Sequence, residues 1–123
     1  MIPHYKNIHN RFKINDFHFD KEALYQLAYT LIKEGKDYEN DLGVFLLDWL
    51  DDKETIQLTT SGTTGVPKVI TIKKQSMVHS AIATGNFFNL HPQDKALLCL
   101  PARYIAGKMM IVRSMMLGLE LDI

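Results

Sequence analysis

Apolar residues recur at helical spacing in the first half of the chain and alternate at strand spacing on either side of one polar loop. Leu24, Leu27, Ala28, Leu31 and Ile32 share one face of a helix that Asp20 can cap and Gly35 stops. A second helix is predicted from about Asn40 to Leu50, with Leu42, Phe45, Leu46, Trp49 and Leu50 as its apolar stripe. Both stripes read as core packing, and Lys36-Asp37 and Asp51-Asp52-Lys53-Glu54 as solvated connectors. Residues 1–19 show no clear period and read as an irregular or short-strand lead-in. Thr55–Thr59 and Val69–Lys73 are β-branched and alternate in polarity, which predicts two strands of a hairpin with a loop at its tip. Ser76 can cap a helix running to about Phe88, with Met77, Val78, Ala81 and Ile82 inside. A strand over Ala96–Leu100, a helix over Ile105–Leu117 closed by Gly118, and a final strand over Leu119–Ile123 complete the pattern. Strand, helix and strand at this spacing imply a right-handed parallel crossover, so the class is α/β.

Composition narrows the function classes. The chain has 123 residues, within one domain's length, and 46% of them are hydrophobic, enough for a core and against disorder. Fourteen basic residues balance fourteen acidic ones, so no electrostatic footprint for nucleic acid or anionic lipid appears. The apolar runs are too short to span a bilayer, and the first ten residues lack a signal-peptide core. The one cysteine, Cys99, forms no internal disulfide and fits a reducing cytoplasm; within Ala96–Leu100 it reads as buried packing. Five histidines show no metal-ligand spacing, so no protein-held metal is expected, and His79 reads as a surface or boundary residue of its helix.

The chemistry concentrates in Thr60-Ser61-Gly62-Thr63-Thr64-Gly65-Val66-Pro67-Lys68, where four hydroxyls, two glycines and a lysine fall within nine residues. Glycines let successive backbone N–H groups turn inward, hydroxyls add donors, and Lys68 brings a mobile positive charge. Pro67 stiffens the loop exit. Such a loop suits a polyphosphate. It lacks the order of either common phosphate fingerprint, G-x-x-x-x-G-K-[ST] or G-x-G-x-x-G.

Its order closely resembles the phosphate loop of the adenylate-forming superfamily, which includes acyl- and aryl-CoA ligases, luciferases and adenylation domains. The family pattern is usually T-S-G-[ST]-T-G-x-P-K-G; this chain matches through Lys68 and has Val69 where the family has glycine. Leu100-Pro101-Ala102-Arg103-Tyr104-Ile105-Ala106-Gly107 is similar to the next landmark, L-P-x-x-H-x-x-G, with Tyr104 in place of histidine. Ile111-Val112-Arg113 and Leu117-Gly118 resemble the o-succinylbenzoate–CoA ligase branch, although Arg113 reads equally well as a helix-surface cation.

The resemblance covers residues 55–123 and implies the N-terminal portion of a ligase large domain. It divides the chain into a helical lead-in, 1–54, and a partial AMP-binding subdomain, 55–123, with its phosphate loop at 60–68. It implies that Thr60, Ser61, Gly62, Thr63, Thr64, Gly65 and Lys68 bind the ATP phosphates, with Lys68 in the catalytic role of neutralising departing pyrophosphate. Arg103, Tyr104 and Gly107 would line the acyl pocket. The partners implied are a carboxylic acid, ATP with Mg²⁺ riding on the nucleotide, and coenzyme A. The adenine, ribose and C-terminal lysine segments of the family do not occur in these residues, so the piece alone is expected to be inactive. A cut at Leu119–Ile123 is expected to leave an unpaired edge and to uncover Met109, Met110, Met115, Met116 and Leu117, promoting self-association. Two other readings stay open: a different acyl- or aryl-CoA ligase or adenylation unit, and a non-catalytic nucleotide- or partner-binding remnant.

Overall fold

A computed structural model describes residues 2–60 and 65–123, Thr60 through its backbone alone. The lead-in opens with a hairpin of β1 (Lys13–Ile14) and β2 (Phe17–His18), turned by Asn15 and Asp16, both at positive φ. Short polar side chains tolerate the left-handed region that a two-residue hairpin turn demands. Next comes α1 (Lys21–Glu34), where Asp20 accepts the Ala23 N–H at 2.8 Å, as its capping position predicts. Leu24, Ala28 and Leu31 are buried along it, while Ile32, expected on the same stripe, is exposed.

The second helix, α2 (Asp37–Leu50), starts a turn earlier than its apolar stripe suggests. Glu39 accepts the Lys36 N–H at 3.1 Å, which satisfies an orphan donor and lets Asp37 and Tyr38 join the first turn. α2 packs against α1 closely at Gly43, where a Cβ would meet Ala28 O and the Ile32 and Leu31 side chains, and Leu42, Phe45, Leu46 and Trp49 are buried in the core. Trp49 sits edge-on to Tyr5, with ring centroids 6.4 Å apart. Its indole N–H finds no partner among the described residues, a cost outweighed by burial of so large a ring.

The predicted hairpin forms. β3 (Thr55–Thr60) and β4 (Lys68–Lys73) run antiparallel from Thr55↔Lys73 to Thr60↔Lys68. Ile56 and Leu58 turn into the core, whereas β4 is largely exposed. From β4 the chain passes directly into α3 (Lys74–Phe87), which begins before Ser76; Lys73, not Ser76, occupies the cap position. The reason is tertiary. Lys74, 0% exposed, donates to Asp51 Oδ1 at 2.7 Å and lies 5.6 Å above the Tyr5 ring, while its N–H continues the hairpin ladder to Glu54 O. Gln75 then holds the lead-in, accepting the Tyr5 N–H and donating to Pro3 O.

Beyond α3 come β5 (Lys95–Leu97), α4 (Ile105–Leu117) and β6 (Glu120–Asp122), with β5 and β6 parallel as a crossover requires. Gly118 ends α4 at φ 75°, the left-handed closure for which glycine is suited. The four-stranded sheet has the order β2-β1-β6-β5.

Three expectations fail here. The segment Leu119–Ile123 is not an open edge: β6 lies between β1 and β5, and Leu121 is fully buried, because the lead-in pairs with it in parallel. Nor does α4 present a bare methionine face, since Met115 and Met116 are buried against the core with Met109 and Met110 half-buried; α3 packs across this helix. Cys99 is exposed, not packed: β5 stops at Leu97, and only Leu98 carries the ladder further, donating to Asp122 O, so Cys99 lies outside the strand. Among the described residues, no helix is long and apolar enough to cross a membrane.

The Lys74–Asp51 pair makes stability pH-dependent. Burial pushes the Asp51 carboxyl up, but the Lys74 hydrogen bond and neighbouring charges outweigh it and hold the group below its ordinary value. A carboxyl depressed in the folded state stabilises above its unfolded pKa, and that contribution is lost as pH falls through the folded value. Urea midpoints should therefore fall below about pH 4. Asp51→Asn should be less stable at neutral pH and show a flatter acid limb; an unchanged limb would remove the pair from the acid response.

Candidate functional site

The hairpin stem sets the position of the loop. Thr60 and Lys68 face each other as its last pair, so 61–67 must span the tip. Ser61, Gly62, Thr63 and Thr64, four of the expected phosphate ligands, lie outside the described residues. Of the others, Thr60 is placed by its backbone at the end of β3, Gly65 has φ 83° with no atom of the described residues within 4 Å of where a Cβ would stand, and Lys68 begins β4 with an exposed side chain.

Beside the loop exit is a cleft of about 430 Å³ between α2, β3 and the start of α4. One wall is apolar, with Val44 and Phe45 of α2 and Leu58 of β3; Pro67 closes the side toward the loop. Arg103 and Tyr104, the residues the motif assigns to an acyl pocket, line this cleft. The Arg103 guanidinium lies 5.1 Å above the Tyr104 ring and 3.9 Å from Asp41 Oδ2.

Gly107, the third expected pocket residue, does not line the cleft. It is buried in the first turn of α4, where a Cβ would stand 2.2 Å from Pro101 O and 2.8 Å from Leu100 O. Its place is a close backbone crossing, so the structure puts it behind the pocket wall. Arg113 lies on α4 away from this cleft, half-buried beside Leu97, Leu98 and Leu100; burial lowers its pKa.

Three charged residues of the cleft escaped sequence reading: Asp41, Asp48 and Lys108. Asp41 and Asp48 stand two turns apart on α2, with Val44 and Phe45 between them on that face. Lys108 shares a stripe with Val112 and Met115, and a cation at such an inward position was the available signal. Burial pushes the Asp48 carboxyl up, reinforced by Asp51 and opposed by Lys108. Burial likewise pushes the Lys108 ammonium down, opposed by Asp48 and Asp41. Among the described residues, no cluster of three His, Cys, Asp or Glu side chains gathers to hold a metal ion.

A larger cavity, about 520 Å³, opens between Lys6–Asn10 and His18–Lys21. It meets neither the β3–β4 hairpin nor the 100–107 segment, so the cleft beside β3 is the candidate site.

An α/β unit that carries a glycine- and hydroxyl-rich loop on a hairpin, next to a half-apolar cleft, defines the class of protein at hand. The chain belongs to the AMP-binding enzyme family, whose model matches residues 29–123 and so extends back into α1 beyond the segment in which the motifs lie. A solved structure from Dyadobacter fermentans, described as an acyl-CoA synthetase (AMP-forming)/AMP-acid ligase II-like protein, is similar at 38% identity and a TM-score of 0.66. The match covers 80% of this chain and 29% of that one. Among curated proteins no match is found.

Proposed function

We propose that this chain forms the loop-bearing part of an ATP-dependent, AMP-forming acid–thiol ligase acting in the cytoplasm. Such a ligase joins a carboxylate to AMP with loss of pyrophosphate, then transfers the acyl group to coenzyme A. The observation that carries this reading is the juxtaposition of the Thr60↔Lys68 strand pair, which fixes both ends of the loop, with a cleft that begins at Pro67. In the proposed roles, Thr60, Ser61, Thr63 and Thr64 donate to the β- and γ-phosphates and Gly62 and Gly65 permit the loop's turn. Lys68 offsets the charge of the departing pyrophosphate. Magnesium would ride on the nucleotide and supply further charge neutralisation there. Arg103 and Tyr104 face the acid in the cleft.

The finer reading is o-succinylbenzoate as the acid, in menaquinone biosynthesis. Its support is the resemblance of Ile111-Val112-Arg113 and Leu117-Gly118 to that branch of the family. The description of the Dyadobacter protein supports the broader acyl-CoA class alone. The test is ATP–pyrophosphate exchange by a protein carrying the complete ligase domain around this chain, across a panel of acids. Exchange stimulated by o-succinylbenzoate well above benzoate, fatty acids and amino acids is the expected result. Stimulation by another acid would retain the ligase reading and discard this substrate; no exchange with any acid would discard both.

A further inference from the structure

The hairpin cleft contains a cation with too few partners. Lys108 is 8% exposed, yet its ammonium donates only to Ala102 O and otherwise lies 5.5 Å above the Phe45 ring. No carboxylate of the described residues stands within ion-pair range of it. Asp41 is engaged by Arg103, and Asp48 acts on Lys108 only at longer range. An ammonium carries three donors, so one carbonyl leaves two for a guest. Burying a charge is costly unless it is paired, and water in a half-apolar cleft is a weak substitute for an anion.

We infer that Lys108 provides the counter-charge for an anionic group of an acid with an apolar body, bound against Phe45, Leu58 and Tyr104. The inference rests on the ligase reading and adds to it a specificity residue and a substrate class. The cleft, at about 430 Å³, has room for a ring or a short branched chain. Phe45 has a double part here. Its face holds the ammonium from beneath, and its ring supplies apolar wall to the ligand body.

The alternative is that Lys108 merely ties α4 to the Ala102 carbonyl. The two are separated by comparing benzoate with benzamide, its neutral near-isostere, by NMR titration of the 123-residue chain and its Lys108→Met variant. The expected result is a benzoate preference of roughly tenfold in the parent chain that falls to about one in Lys108→Met, while benzamide binding persists. Equal binding of the two ligands by the parent, no binding of either, or an undiminished preference in Lys108→Met would overturn the assignment. Should Lys108→Met lose its folded circular dichroism, Lys108→Gln is judged by the same ratio. Pyrophosphate titration of the parent chain and of Lys68→Ala tests the phosphate loop separately. Lys68-dependent pyrophosphate binding without a benzoate preference would sink Lys108 as the anchor and leave the ligase reading standing.

Discussion

Replacing Lys68 with alanine is expected to lower ATP–pyrophosphate exchange by roughly two to four orders of magnitude in a protein carrying the complete ligase domain. Lys68 opens β4 opposite Thr60, at the junction of a paired strand with the loop. Its backbone is therefore held by the ladder while its exposed side chain can reach toward the loop's ligand. Negative charge on the bridging oxygen grows as pyrophosphate departs, so an ammonium there stabilises the transition state more than the ground state. The loss should fall on the adenylation rate, with acid binding changed little. An equal weakening of ATP affinity with an unchanged rate would make Lys68 a ground-state binder, and no change in either would remove it from the mechanism. Lys68→Arg is expected to recover part of the rate, because charge is restored with a different geometry.

The second large effect concerns folding, at a position the family motif marks as pocket. Gly107→Ala should destabilise the chain by about 3 kcal/mol, toward the upper end for overpacking a buried position. The added methyl would meet Pro101 O, Pro101 C and Leu100 O at 2.2, 2.7 and 2.8 Å. All three are backbone atoms, so no side chain can swing away to make room. Relief requires the 100–104 segment to move off α4, and with it Arg103 and Tyr104. A fall in melting temperature of about 10 °C is expected for a chain of this size. A Gly107→Ala protein with an unchanged melting temperature would show that the crossing relaxes easily. If its acid selectivity alone had changed, the pocket-lining role would be restored.

These two residues show how legibility differs along the chain. Helices α1, α2 and α4 were readable because periodicity is local: a stripe at i, i+3, i+4 and i+7 needs no knowledge of what it packs against. Residues 105–117 form α4 as predicted, bounded by an apolar start and Gly118. The hairpin was equally readable, since β-branched alternation on both sides of a turn-forming loop specifies antiparallel pairing between near neighbours. The loop's chemistry was visible as a motif, and Arg103 and Tyr104 do meet in one cleft with Pro67.

By itself, then, the sequence determined the helices, the hairpin and the phosphate-loop motif, all of which depend on residues a few positions apart. Tertiary structure decided the rest. β1 pairs with β6 across more than a hundred residues, and nothing in Lys13–Ile14 or Glu120–Asp122 announces that partner; the pairing turns an expected edge into the middle of a sheet. Cys99, expected inside a strand, lies two residues past the end of β5 and is exposed. Lys74 and Lys108 look like surface cations by residue type. Lys74 is buried because distant segments offer it Asp51 and Tyr5, while Lys108 is buried where the fold lays Phe45 against it and leaves only the Ala102 carbonyl as a hydrogen-bond acceptor. The burial of a charge depends on the sum of solvation lost and partners gained, and those partners are chosen by the fold and not by the neighbouring residues.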